Sequence, residues 1–174
     1  MEPQSTPNQG TSKRRGLYIL GIITILASWA IYFIRSGVSD VDLTLLNDAR
    51  TEWMKCGIDS YEIEVLVTTF QKDRYVVSVQ NSEVVAVELN GTSLKRLHAF
   101  ETWSVSGMFE TIARDLEHIE NLKAGNTGPE TCEILIKGAF DPRYHFPQKY
   151  LRFEIGGMNQ TPDVSWEVSR FEPL

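Results

Sequence analysis

The residues of this chain that could carry chemistry are few: three histidines, two cysteines, an alternating acidic run and one aromatic-rich loop. His98, His118 and His145 are widely separated and lack the HxxxH, HExxH or Cys-x-x-Cys spacing that preassembles a metal site, so neither a metal nor a cofactor is expected. Nucleophilic catalysis has no visible signature either. Gly-x-Ser-x-Gly and Ser-x-x-Lys do not occur, and Trp103-Ser-Val-Ser-Gly107 reads as a helix start, where serine's capping role is a sufficient explanation. Glu62 and Glu64 would stand about 7 Å apart on one strand face, within the range of paired carboxylates. Acidic residues alternating with apolar ones are, however, what the wet face of a sheet looks like. Gly-rich phosphate loops and dinucleotide fingerprints do not occur.

The loop Phe140-Asp-Pro-Arg-Tyr-His-Phe-Pro147, followed by Tyr150 and Phe153, concentrates rigid aromatics around charged side chains. Asp-Pro starts a turn and Pro147 restricts Phe146, so the aromatics either close the end of a core or line a groove. On the second reading Phe140, Arg143, Tyr144, His145 and Phe146 are candidate partner-binding residues, with Arg143 and His145 as the polar contacts. Cys56 and Cys132 are the only cysteines. An oxidising compartment would permit them to pair, and their spacing leaves a disulfide and two free thiols both open.

The elements that must position these residues alternate in period. A helix is expected from Val41 to Cys56, with Val41, Leu45, Ala49, Trp53 and Met54 at three- and four-residue steps, Asp40 as N-cap and Gly57 as terminator. Tyr61, Ile63, Val65 and Val67 then alternate with Glu62 and Glu64. Tyr75 to Val79 and Val84 to Leu89 continue the alternation around the two-residue turn Asn81-Ser82, predicting a three-stranded meander. A second helix is expected from Val105 to Lys123, capped by Ser104, with an apolar stripe of Val105, Met108, Phe109, Ile112, Leu116 and Ile119 and a Glu110–Arg114 pair on its wet side. Cys132 to Lys137, Tyr150 to Ile155 and Val164 to Phe171 read as three further strands. The order predicts an α+β domain over residues 40 to 174, two-layered, with an antiparallel sheet of about six strands and two helices on one face. Its core would pack Trp53, Phe109, Ile112 and Leu116 against Tyr61, Ile63, Val65, Val77, Val85 and Val87.

Ahead of that domain, Gly16 to Ile34 is nineteen residues without a charge. As a helix it would cover about 28 Å, close to the ~30 Å hydrocarbon core of a bilayer. Lys13, Arg14 and Arg15 precede it and only Arg35 follows, which predicts a single-pass signal anchor in the cell membrane with the N-terminus cytoplasmic and the C-terminal domain extracytoplasmic. A cleaved signal sequence competes, because Ser28-Trp29-Ala30 has the small-x-small form, yet apolar residues continue past it to Ile34. Residues 1 to 15 read as a disordered tail ending in basic side chains, and residues 35 to 39 as a short linker.

The chain carries a net charge of −6. Residues 1 to 35 hold four basic side chains against Glu2, which leaves 13 basic and 22 acidic side chains, a net −9, for residues 36 to 174. Such a domain lacks the basic surface that nucleic acids or anionic lipids require.

Five stretches, WMKCGIDSY from Trp53, VSVQNSEVVAV from Val77, SVSGMFETI from Ser104, FDPRYHFP from Phe140 and the closing VSRFEP, resemble a bacterial family of secreted and lipoprotein domains known as domain of unknown function 6174. The resemblance covers roughly Ala49 to Pro173. Where that family usually has Asp-Gly in the hairpin this chain has Asn81-Ser82, and where it usually has Gly after the loop tyrosine this chain has His145; Asn and His are among the residues that best tolerate positive φ. The resemblance implies an extracytoplasmic bacterial setting and brings no activity with it. The function expected is a non-catalytic binding module of the cell envelope, with an envelope protein or peptide as partner. The alternative is an enzyme whose site is assembled from scattered residues around His145 and Arg143.

Overall fold

The computed structural model describes residues 37–95, 101–125, 132–155 and 163–174. The expected cytoplasmic tail, the span from Gly16 to Ile34 and His98 lie outside the described residues, and among those that are described no helix is long and apolar enough to cross a membrane.

The first described element is a two-residue strand, β1 (Ser39–Asp40), so the linker expected over 35 to 39 already gives up Ser39 to the sheet. The first helix, α1 (Leu43–Lys55), is capped by Asp42 rather than Asp40: the Asp42 carboxylate accepts the Leu45 N–H at 2.8 Å. That start sets the buried stripe at Leu46, Ala49 and Trp53. Leu45 and Met54, expected in the stripe, are exposed instead. Gly57, at φ +64°, ends the helix in a conformation that glycine adopts without strain.

The meander then forms from β2 (Tyr61–Thr68), β3 (Lys72–Gln80) and β4 (Glu83–Leu89). Asn81 and Ser82 both have positive φ, as a two-residue hairpin turn demands. The register shifts between Ser78 and Val79, whose partners are Ala86 and Val84, leaving Val85 as the extra residue of a bulge. Val84 packs against the core and Val85, expected inside, is 43% exposed. A second turn at Asn90-Gly91 leads into the two-residue β5 (Thr92–Ser93).

The second helix, α2, spans Val105–Lys123 as its periodicity predicts, and the Ser104 hydroxyl accepts the Gly107 N–H at 3.1 Å. Val105, Met108, Phe109, Ile112 and Leu116 are buried. Glu110 makes its ion pair with Arg50 of α1 at 3.2 Å, not with Arg114, whose guanidinium reaches Thr111. The chain closes with β6 (Ile134–Phe140), β7 (Pro147–Glu154) and β8 (Val164–Pro173).

The described residues form an α+β arrangement of two helices and one antiparallel sheet ordered β1-β6-β7-β8-β2-β3-β4-β5. Eight strands replace the expected six because β1 and β5 cap its two edges; each is too short to have a period, and short edge strands blunt the tendency of open edges to pair with other chains. Trp53, Phe109, Ile112 and Leu116 join Tyr61, Ile63, Val65, Val77 and Val87 in one buried cluster between helices and sheet. The opposite face of the sheet carries no described element.

Candidate functional site

The aromatic-rich loop is a tight hairpin connection between β6 and β7. Asp141 organises it: one carboxylate oxygen accepts the N–H groups of Arg143 (2.9 Å) and Tyr144 (2.7 Å), the Asp141 carbonyl accepts the His145 N–H (2.8 Å), and the Asp141 N–H donates to Phe146 (2.8 Å). His145 takes φ +64° to close the turn. This geometry turns the aromatics inward. Phe146 is buried, its ring centroid 4.6 Å from Phe171 and 6.3 Å from Trp53; Tyr144 stacks on Phe146 and lies 5.3 Å from Phe171; Phe140 stacks on Phe109 at 6.2 Å. Of the residues read as partner contacts, Arg143 alone is fully on the surface, its guanidinium 4.7 Å above the Tyr144 ring. His145 is half-buried and close enough to Glu52 to help hold that carboxyl below its ordinary value, after the stronger hydrogen bond from Lys55. Three of the five candidates are therefore packing residues.

His118 sets its Nε2 3.1 Å from the Cys132 carbonyl. Cys56 and Cys132 are both exposed free thiols, Cys56 held near the Glu52 and Tyr144 carbonyls. Among the described residues, His, Cys, Asp and Glu nowhere gather in a group that could hold a metal.

A polar cluster that sequence reasoning missed lies between α2 and β7. Tyr150 donates its hydroxyl to Asp115, Arg152 sits 3.8 Å from the same carboxylate, and Arg152 also pairs with Glu154 at 2.9 Å. Burial, followed by the Asp115 carboxylate, pushes the Tyr150 phenol well above its ordinary range. Tyr150 stacks on Trp166 at 4.1 Å, and the buried Trp166 Nε1 has no hydrogen-bond partner among the described residues. The available signal was the two-residue period of β7, which puts Arg152 on the same face as Tyr150.

The bare face of the sheet has no neighbour among the described residues. Glu62, Glu64, Arg74, Val76, Ser78, Ala86, Glu88 and Arg170 line a shallow depression of about 270 Å³. Arg74 lies 3.1 Å from Glu64, Arg170 reaches both Glu62 and Glu172, and Lys149 pairs with Glu167 at 2.9 Å. Ser169 donates to Glu64 at 2.7 Å; that bond first, and the Arg74 charge second, hold the Glu64 carboxyl below its ordinary value. Glu62 and Glu64 are thus ion-paired carboxylates of a wet face. A second depression, lined by Ser82, Glu83, Glu101, Ser104, Ser106 and Glu110, lies at the start of α2. Neither contains Arg143 or His145.

No protein family, no curated protein and no solved structure matches the chain, so the likeness to domain of unknown function 6174 rests on its five short motifs alone.

Proposed function

We propose that this chain is a single-pass membrane protein whose extracytoplasmic domain is a non-catalytic binding module, and that its contact surface is the bare face of the sheet. One observation carries this reading: two helices seal one face of an eight-stranded sheet while the other face presents Leu66 and Leu135, each 41% exposed, among ion pairs that are already satisfied. An uncovered sheet face on which exposed apolar side chains alternate with charges already paired within the face has the mixed composition of an interaction surface rather than of a reaction centre. The aromatic loop serves that face by closing the core beneath one end of it. An enzyme built around His145 and Arg143 gains no support from the two depressions described, since neither contains them.

The test uses the full chain extracted in mild detergent from its native membranes. On a native gel it should migrate as an assembly larger than one copy. Leu66→Asp, on the bare face, should release that assembly, whereas Leu45→Asp, on the exposed side of α1, should leave it intact. An assembly indifferent to Leu66→Asp would overturn the reading.

A further inference from the structure

Phe70 is wholly exposed at the tip of the hairpin joining β2 to β3. The base of that hairpin is clamped. Asn90 Nδ2 donates to Asp73 at 3.0 Å, Gln71 Nε2 donates to the same carboxylate at 3.1 Å, and the Arg74 N–H donates to Asn90 Oδ1 at 2.9 Å. The clamp fixes the base of the hairpin, so less backbone freedom is left to lose when its tip docks.

An apolar surface lies on the bare face. Tyr150 and Arg152 point to the helix side, where they meet Asp115, so the strand period sends Leu151, Phe153 and Ile155 to the bare side, with Leu135 of β6 paired beside Phe153. Ile155 is 51% exposed. The ladder sets relative heights: Thr68 is level with Ser165, and Ser165 with Leu151. Phe70, two residues beyond Thr68, is therefore level with Phe153 and Leu135, two residues beyond Leu151. Strand β8 runs between them, with β2 on one side and β7 on the other.

We infer that the occupant of this face is a second copy of the same chain, related by a two-fold axis running along β8. That axis exchanges left and right at constant height, so it lays Phe70 of each copy over Phe153 and Leu135 of the other, a self-complementary contact made twice. Glu167, on the axis, is already paired within its own copy by Lys149 at 2.9 Å, so it enters the contact neutralised. Ser39 pairs with Gly138, which the ladder sets level with Val67, and the same axis keeps both copies' Ser39 at one height. Two chains anchored in one membrane need that arrangement; in this respect the inference rests on the anchored-module reading and names its partner.

Disulfide trapping in native membranes tests it, on a full chain carrying Cys56→Ser and Cys132→Ser. The pair Phe70→Cys with Leu135→Cys should give a covalent dimer at least tenfold more abundant than Phe70→Cys alone, and the pair Phe70→Cys with Glu120→Cys, on the exposed side of α2, should give no such gain. Phe70→Asp should lower the dimer fraction of the chain in nanodiscs about tenfold with an unchanged melting curve. Equal trapping by Leu135→Cys and Glu120→Cys, or no gain over the single cysteine, would overturn the pairing. If the native-gel assembly still depended on Leu66, the binding reading would survive that outcome with a different partner.

Discussion

The phenolic oxygen of Tyr61 accepts the backbone N–H of Val105 at 3.0 Å, so the first residue of β2 caps the first residue of α2 across 44 positions of sequence. The bond satisfies a donor that every helix start leaves open and ties the sheet to its covering helix. Burial, opposed only in part by that hydrogen bond, raises the Tyr61 phenol from 10 to about 12. A raised folded-state value means the native state resists deprotonation more than the unfolded chain does. Stability should therefore hold up to about pH 10 and fall between pH 10 and 12, by on the order of 2–3 kcal/mol from this residue. Tyr61→Phe should cost about 1–3 kcal/mol at neutral pH, through the orphaned N–H, and flatten part of the alkaline decline in urea titrations. An unchanged alkaline slope would contradict the assignment; Tyr150 and Tyr75, both also raised first by burial, contribute to the rest of the decline.

Gly107 is where the chain leading into α2 crosses the helix. A Cβ there would lie 2.1 Å from the Glu101 carbonyl oxygen and 2.6 Å from the Thr102 Cα, both backbone atoms. Gly107→Ala should destabilise the domain by about 3 kcal/mol or more, read from the denaturation midpoint of the full chain in detergent. A loss under about 1 kcal/mol would mean that the crossing is looser than drawn.

Ile112 is 1% exposed and Val85 is 43% exposed. Ile112→Ala should cost about 2–5 kcal/mol and Val85→Ala under about 1 kcal/mol. Comparable losses at both would show that the bulge between Ser78 and Val79 does not turn Val85 outward.

In the loop, Tyr144→Ala should cost about 1–3 kcal/mol by stripping its contacts with Phe146 and Phe171, whereas His145→Gly should raise stability by up to about 1 kcal/mol by relieving a positive φ. Thermal melts of the two variants settle the sign. A neutral Tyr144→Ala would return that ring to the surface as a contact residue.

Much of this architecture is written locally. The α2 boundaries follow from one uninterrupted apolar stripe with a serine ahead of it, and the Asn81-Ser82 turn from residues that accept positive φ. Where the reading departs from the structure, the deciding force is not local. Asp40 and Asp42 cap a helix equally well in isolation, and the pairing of Ser39 and Asp40 with β6 makes the choice. The bulge that expels Val85 appears only once β3 and β4 are aligned. For Phe140, Tyr144 and Phe146 the sequence leaves a core end and a binding surface both open, because aromatics in a loop suit either; Asp141, by gathering two backbone N–H groups, closes the turn that packs them inward. Tyr150, Asp115 and Arg152 meet only because α2 crosses β7. The bare face was legible residue by residue, in Glu62, Glu64 and their alternation, but that no described element covers it is a property of the topology.

A photoreactive side chain in native membranes tests the central claim most directly. Placed at Leu66 on the bare face, it should form a discrete covalent adduct, while the same group at Glu120, on the exposed side of α2, should form none. Equal adducts from both positions, or none from Leu66, would contradict the assignment of that face as the binding surface.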